Sequence, residues 1–269
     1  MNVSFGTKIG LSLVFALLLS VTLTYAQDDE PTYVVIDYMK VDPEMESEYL
    51  KVEKVWKKIH AARIKAGKLE YWELSRLISP YGTAHEYNYK TANIYKGDKM
   101  LADHFTGSMS DLSDILTEEE MKILNKTNAV RDLVREEIYI VDQEIFRAGA
   151  DNRITVDNYM QLQEGASLAD HSNYEKNVWF PVHKARIDDG NMGGWANLNL
   201  MMPQGADKEY HAITVDFYES LDQYMLPWFE KYFAKVHPGK DLGKMSDEMD
   251  KIWIRQKVDV QMRVDYVSN

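Results

Sequence analysis

The chain has 269 residues, with 43 acidic against 31 basic side chains and no cysteine. Its formal charge of −12 argues against a nucleic-acid-binding protein, because a phosphate backbone requires clustered lysine and arginine. The lack of cysteine excludes disulfides, thiolate metal ligands and a cysteine nucleophile. The length and a hydrophobic content of 45% suffice for one or two domains with their own cores.

The first 26 residues predict a secretory signal peptide. Lys8 supplies a positive charge, the stretch from Ile9 to Leu23 is apolar, and small residues precede a cleavage point after Ala26. The apolar stretch is shorter than a full membrane span, and an uncleaved anchor is the alternative. We therefore expect export from a bacterial cell, to the periplasm or the medium, with residues 1–26 removed and no membrane span in the remainder.

The remainder of the chain repeats itself at an offset of 123 residues. The identical pairs in this register include Trp56 and Trp179, His60 and His183, Arg63 and Arg186, Trp72 and Trp195, Pro80 and Pro203, Tyr87 and Tyr210, and Tyr95 and Tyr218. Two tryptophan pairs in one register are not expected from ordinary composition. The pattern predicts two tandem copies, residues 32–148 and 149–269.

The first copy predicts the element order β-α-β-β-α-β. β-Branched content and alternation indicate strands, whereas apolar spacing of three and four residues indicates helices. We expect strands at 33–41, 69–78, 86–95 and 138–146, with helices at 44–66 and 99–105. Thr117 and Glu120 have the spacing of a capping box, which predicts a further short helix.

The second copy predicts the same order. We expect strands at 154–160, 192–202, 209–218 and 258–266, and helices at 172–189 and 221–236. Ser246 is expected to cap a short helix that ends near Ile254. Pro181 lies inside the second long helix and should remove a hydrogen bond and bend the helix there.

Two such units in tandem are two ferredoxin-like motifs, each with helices on one face of its sheet. This α+β organisation resembles the dimeric α+β barrel superfamily, with the usual dimer fused into one chain. The superfamily includes antibiotic-biosynthesis monooxygenases, EthD-like and NIPSNAP-like proteins, and haem-binding relatives. The resemblance covers nearly all of the mature chain and implies that the two sheets pack face to face as a pseudo-dimeric barrel. It also implies a small apolar or aromatic ligand between sheet and helix, and a monomer.

One repeated motif places three functional side chains on one face of each long helix. Its two copies are Trp56, His60 and Arg63, and Trp179, His183 and Arg186. The spacing i, i+4, i+7 aligns them, with the arginine inside the apolar stripe. The functional interpretation is an arginine that binds a carboxylate or enolate, a histidine that transfers a proton, and a tryptophan wall. The alternative is structural, with the arginine paired to an acid such as Glu86 or Glu209.

A second candidate set lies on the third strand of each copy. Its members are Tyr87, Thr91 and Tyr95, and Tyr210, Thr214 and Tyr218. We expect this face to line the interior between the two sheets, either as a ligand cavity or as a packed core. On that assignment the tyrosines and the helix residues lie on opposite faces of the sheet and cannot form one pocket; the sequence leaves this open.

Other motifs are absent from the sequence. The seven histidines show no metal-binding spacing, and there is no phosphate-binding loop or nucleophile elbow, so no metal and no cofactor are predicted. The first functional hypothesis is an exported small-molecule-binding protein or cofactor-free enzyme that acts on a small apolar or aromatic compound. The second is a non-catalytic exported module for envelope structure or protein contacts.

Overall fold

Eight antiparallel strands form a closed barrel in the computed structural model, which describes residues 30–80, 82, 85–106, 112–205 and 208–268. The strands are β1 Thr32–Lys40, β2 Tyr71–Ser79, β3 Tyr89–Lys96, β4 Asp132–Phe146, β5 Ile154–Leu162, β6 Gly194–Met202, β7 Ala212–Tyr218 and β8 Trp253–Ser268. This confirms the predicted α+β barrel. The predicted signal peptide lies outside the described residues.

The strand order around the barrel is β1-β3-β2-β8-β5-β7-β6-β4. β4 and β8 are the longest strands, and each pairs on one side with its own half and on the other side with the other half. These two cross-half ladders, β4 with β6 and β8 with β2, close the barrel. Corresponding strands of the two halves therefore lie four positions apart, on opposite sides of the lumen.

The helices pack on the outside of the barrel. They are α1 Glu46–Lys65, α2 Gly97–Thr106, α3 Leu112–Ile115, α4 Glu118–Leu124, α5 Thr127–Val130, α6 Leu168–Tyr174, α7 Phe180–Asp188, α8 Leu221–Met225, α9 Phe229–Val236 and α10 Leu242–Met249. The predicted capping box of Thr117 and Glu120 is confirmed at the start of α4. Within the described ranges, no helix combines the length and the apolar character needed to cross a lipid bilayer.

Two predicted helices differ from the structure. The helix expected over 221–236 is two helices, α8 and α9, because Pro227 forces the preceding Leu226 into an extended conformation. The cap predicted at Ser246 is wrong. Instead, the Asp241 side chain caps α10 by accepting from the backbone N–H groups of Gly243 and Lys244.

The second long helix is interrupted directly before Pro181, where a disruption was predicted. Residues Glu175–Trp179 form a π-helical turn between α6 and α7. Proline has no N–H to donate to the preceding turn, and a π turn accommodates one extra residue at such a position. The extra residue shifts the register, so buried Glu175, rather than exposed Lys176, takes the position that Glu53 has on α1.

The predicted orientation of β3 and β7 is wrong. Ile213 and Val215 point into the lumen, where they pack in one cluster with Tyr38 and Tyr159. Tyr95 and Tyr218 instead pack on the helix side. Apolar side chains pack on both faces of these strands, so their alternation does not show which face meets the helices. Tyr87 and Tyr210 do face the lumen, but each precedes its strand and so does not follow the alternation of β3 or β7.

Candidate functional site

A flat aromatic stack lies between α1 and the sheet. The imidazole of His60 is sandwiched between the ring of Trp56, 5.8 Å away at 26°, and the ring of Trp72, 5.3 Å away at 16°. Trp56 and His60 meet because they are four residues apart on α1, and Trp72 projects from β2 toward the helix. The stack forms an apolar wall whose flat faces suit an aromatic ligand.

The stack borders a cavity of about 390 Å³, here named cleft one. Its polar lining residues are Asp37, Glu53, His60, Arg63, Lys68, Thr91, Asn93, Asp103, His104 and Arg131. Its apolar lining comes from Trp56, Ile59, Trp72, Leu112 and Ile115, with small side chains at Ala62 and Ala66. A few polar groups that converge on a mostly apolar wall are typical of a small-molecule site.

Two carboxyl groups that line cleft one have pKa values raised toward neutral pH. Burial raises the pKa of Glu53, on α1, to about 7, although the Arg131 guanidinium opposes this shift. Burial likewise raises the pKa of Asp37, on β1, to about 6, against the hydrogen bond that it accepts from Thr91 at 2.8 Å. Perturbed carboxyls in a cleft are a recognised property of acid–base sites.

A chain of polar contacts near Asp37 and Glu53 links α1 to the sheet. The Arg63 guanidinium donates to the Tyr95 hydroxyl at 3.4 Å, and that hydroxyl lies 2.7 Å from Nδ1 of His104. Nε2 of His104 is 3.6 Å from Glu136, which lies opposite Asp37 in the β1–β4 ladder. Arg63 is half-buried and has a neutral partner, so its charge is available to an anionic group of a ligand.

The neighbouring histidine of the stack is electrically neutral. Burial lowers the pKa of His60 to about 3, and the positive charge of Arg63 acts in the same direction. Its Nδ1 atom is buried and has no hydrogen-bond partner among the described residues. At physiological pH, His60 is therefore an uncharged ring whose two faces are covered by Trp56 and Trp72.

The second half carries a corresponding cavity of about 530 Å³, here named cleft two. His183 stacks on Trp195 at 5.3 Å and 14°, which reproduces the relation of His60 to Trp72. Cleft two also has a buried carboxyl on each side: burial raises the pKa of Asp216 to about 6 and that of Glu175 well above its ordinary value. The carboxyl on the sheet side of each cleft lies on a different strand in the two halves: Asp37 is on β1 and Asp216 is on β7.

Cleft two differs in its arginine and its aromatic content. Arg186 is 1% exposed, with its guanidinium carbon 3.8 Å from the Trp228 ring centroid and a hydrogen bond of 2.9 Å to the Tyr218 hydroxyl. Additional apolar side chains line the cavity, namely Trp179, Trp228, Phe229, Phe233, Met245, Met249 and Trp253. Arg186 is thus covered by Trp228 and does not line cleft two, whose arginine is Arg255, and cleft two has more aromatic lining residues than cleft one.

The structure brings together most of the predicted site residues. Trp56, His60, Arg63 and Tyr95 lie together in the first half, as do Trp179, His183, Arg186 and Tyr218 in the second. Tyr87 and Tyr210 are separated from both groups, because they lie in the lumen.

The alternative partners for the two arginines are not used. Glu86 accepts from Arg135 at 2.6 Å, and Glu209 lies 4.0 Å from Lys257. Neither Arg63 nor Arg186 forms an ion pair within the part of the chain that the structure describes.

The sequence analysis missed the carboxyl groups of both clefts. Glu53 precedes Trp56 by three residues and His60 by seven, so the spacing that aligned the motif also places this acid on the same face. Asp37 and Asp216 each interrupt an otherwise apolar strand, which is a recognisable signal for a buried polar group with a function. Over the described residues, no group of three or more histidine, aspartate or glutamate side chains is arranged to hold a metal ion.

Two solved structures share this fold over almost the whole chain. A "putative monooxygenase" from Lactobacillus acidophilus NCFM is 11% identical, with a TM-score of 0.56, and the match covers 89% of this chain and 97% of that one. A "putative monooxygenase" from Fusobacterium nucleatum subsp. nucleatum is 10% identical, with a TM-score of 0.57, and the match covers 90% and 96%. No protein-family model and no curated protein matches the sequence. At these identities the likeness establishes the α+β barrel fold alone.

Proposed function

We propose that the chain is a cofactor-free enzyme that binds a small, partly apolar aromatic compound in cleft one and transfers a proton to or from it. The observation that carries the proposal is a pair of carboxyls beside the aromatic stack, the half-buried Asp37 and the buried Glu53, whose pKa values are raised to about 6 and about 7. A group with a pKa near the working pH is the most effective general acid or base.

Each side chain of cleft one has a separate task in this reaction. The ligand ring lies against the Trp56 and Trp72 stack, and Glu53 accepts a proton from a phenolic hydroxyl or from carbon next to a carbonyl. The oxyanion that remains is stabilised by the Arg63 guanidinium, whose hydrogen-bond partner among the described residues is the neutral Tyr95 hydroxyl. The substrate class is therefore a phenol or an enolisable aromatic ketone.

The histidines of the motif take a secondary place in this proposal. A neutral His60 with a pKa of about 3 is a weak base at physiological pH, so the proton passes to the carboxyl pair. The catalytic role predicted for His60 and His183 stays a prediction. Cleft two is proposed to bind apolar ligands without the same reaction, since the Trp228 ring covers Arg186.

The experiment measures exchange of an activated proton. We would follow exchange of the α-protons of 2-tetralone into heavy water by NMR, and binding of 2-naphthol by quenching of tryptophan fluorescence. Glu53→Gln should slow exchange by at least about tenfold while 2-naphthol still binds, because only the base is removed. Glu44→Gln is the matched control, since Glu44 is exposed and the charge change is the same.

Two outcomes contradict the proposal. Exchange that is equally fast in Glu53→Gln and wild type removes Glu53 as the base. Absence of both exchange and quenching across a panel of phenols and aromatic ketones favours the non-catalytic exported module instead.

Export, duplication and a monomeric state are part of the same proposal. The predicted signal peptide supports export, and the 123-residue offset with its matching histidine–tryptophan stacks supports tandem ferredoxin-like copies. Closure of the barrel by the β4–β6 and β8–β2 ladders within one chain supports a monomer. N-terminal sequencing of the exported protein and light scattering test these points: a start at Gln27 and the mass of one chain are expected.

A further inference from the structure

The barrel lumen contains a second type of cavity, separated from both clefts by the sheet. It has a volume of about 750 Å³, compared with 390 and 530 Å³ for the clefts. It extends from Lys90, in the middle of the barrel, to the end crossed by the chain at 149–152 between the two halves. The other end of the lumen is filled by a cluster that includes Tyr38, Tyr87, Tyr139, Tyr159 and Tyr210. We name this cavity the lumen chamber.

The lumen chamber has one polar wall and one apolar wall. The polar wall belongs to the adjacent strands β2, β8 and β5 and consists of Glu73, Ser75, Thr155, Asp157, Gln261 and Arg263. The wall formed by the other five strands is mostly apolar. Its apolar residues are Val34, Ile36, Ala92, Ile94, Val141, Phe146, Ala196, Leu198, Val215 and Phe217, and its polar residues are Thr32, Lys90, Thr91 and Glu144. At the 123-residue offset, Glu73 corresponds to Ala196 and Ser75 to Leu198. The two sides of the lumen have therefore diverged in polarity, whereas a lumen that served packing alone would be apolar on both sides.

Most charges of the chamber are already paired. Lys90 bonds Asp157 at 2.9 Å and Asp259 at 2.8 Å, and Arg263 pairs with Asp151. Glu73 is different, because its partners are two neutral donors: the Tyr71 hydroxyl at 2.5 Å and the Ser75 hydroxyl at 2.8 Å. Within the described ranges no basic side chain pairs with Glu73, and Arg263 acts on it only at longer range.

The surroundings of Glu73 favour a cationic group in a ligand. Carboxylates line the chamber in excess, since Glu70, Glu73, Glu144, Asp151 and Asp157 stand against only Lys90 and Arg263 in the same lining. The Tyr266 ring already has the Arg263 guanidinium carbon 4.3 Å from its centroid, so the carboxylates rather than the aromatic rings attract a ligand cation here. A carboxylate without an ionic partner forms a charge-assisted hydrogen bond with an organic ammonium group.

We infer that the lumen chamber binds a small organic amine, with its ammonium group on Glu73 and its apolar body against the Ala92, Ile94 and Leu198 wall. This site is independent of the reaction proposed for cleft one, because the sheet separates the two. The ligand class also differs, since cleft one presents an unpaired arginine to anions and the chamber an unpaired carboxylate to cations.

Calorimetric titration with 2-phenylethylamine tests the inference, with 2-phenylethanol as the neutral analogue of matched shape. The wild type should bind the amine at least about tenfold more tightly than the alcohol, because a charge-assisted hydrogen bond is lost in the alcohol. Glu73→Gln should weaken amine binding by at least about tenfold, and Glu44→Gln should leave it unchanged. Ala92→Phe should abolish binding by filling the chamber, and 2-naphthol should not compete with the amine.

Three results overturn the inference. They are absence of amine binding to the wild type, equal affinity for the amine and the alcohol, and amine binding that survives both Glu73→Gln and Ala92→Phe. Competition by 2-naphthol would place the amine in a cleft and would likewise contradict a site in the lumen. None of these results bears on proton exchange in cleft one, so the two proposals fail separately.

Discussion

Oε1 of Glu53 lies 3.8 Å from Nε of Arg131, and neither atom has a hydrogen-bond partner within the described residues. Opposite charges at this distance attract, but the geometry leaves both polar atoms unsatisfied. Burial consequently outweighs the guanidinium, and the pKa of Glu53 rises to about 7. Such a carboxyl lowers the stability of the folded protein, and its raised pKa is what the proposed role of Glu53 as a base requires.

The first prediction is that Glu53 makes the protein less stable as the pH rises. The pKa of Glu53 is about 7 in the folded protein, against its ordinary value of 4.5, which we take for the unfolded chain. Between these two pH values the folded protein therefore binds more protons than the unfolded chain does. The free energy of unfolding should fall across that window by roughly 2–3 kcal/mol on account of this group. Urea unfolding at about pH 5 and about pH 8 should show this fall in wild type and a smaller one in Glu53→Gln. Arg131 stays charged throughout, so it does not titrate and adds no pH dependence of its own. An identical pH dependence in the two proteins would contradict the assignment.

The second prediction concerns His60. Burial lowers its folded pKa to about 3 from an ordinary value of 6.5, so the imidazole should not titrate between about pH 5 and about pH 8. The contribution of the neutral His60 ring to the free energy of unfolding is complete above pH 6.5 and is lost as the pH falls toward 3. Heteronuclear NMR should show flat His60 ring shifts over this range, and His60→Phe should gain stability relative to wild type at the acid end. A titration midpoint near 6.5 would be inconsistent with the buried stack.

The third prediction separates the two arginines. Arg186 is buried beneath Trp228 and bonds Tyr218, whereas Arg63 is half-buried with one long hydrogen bond. Arg186→Ala should lower the free energy of unfolding by about 2–4 kcal/mol through lost packing and the lost hydrogen bond to the Tyr218 hydroxyl. Arg63→Ala should lower it by less than about 1 kcal/mol but weaken 2-naphthol binding. Urea unfolding of both variants provides the comparison, and equal losses would refute the distinction.

The fourth prediction concerns the charged centre of the lumen. Lys90 is buried and neutralises Asp157 and Asp259, so Lys90→Met leaves two carboxylates without their cation. The expected loss in the free energy of unfolding is about 3–5 kcal/mol. A charge-neutral variant that combines Lys90→Met with Asp157→Asn and Asp259→Asn should recover much of this loss. A single Lys90→Met variant as stable as wild type would show that the lysine is not needed for neutralisation.

The element order and the helix motif could be predicted from sequence because both depend on local periodicity. The spacing of Trp56, His60 and Arg63 fixes their common face whatever surrounds the helix. The faces of β3 could not be predicted in the same way. Tyr95 is buried on the helix side and Ile94 is partly buried in the lumen, so apolar side chains pack on both faces and alternation does not distinguish them.

Other features depend on contacts that are distant in the sequence. The raised pKa of Asp37 requires burial in the folded protein, which outweighs the opposing hydrogen bond from Thr91, and the lumen chamber requires all eight strands to close around it. The split between α8 and α9 was accessible to sequence reasoning, because Pro227 is visible in the chain. For the helix at Pro181, the sequence predicted a disruption but not the π turn that forms there, since the form of that turn depends on the packing of Glu175.

The pH profile of α-proton exchange tests the proposed role of cleft one most directly. With 2-tetralone as substrate, the exchange rate should rise with pH and level off around the pKa of Glu53, at about 7, and this rise should disappear in Glu53→Gln. A profile that is flat, or one whose midpoint is unchanged in Glu53→Gln, would show that the buried carboxyl does not act on the ligand.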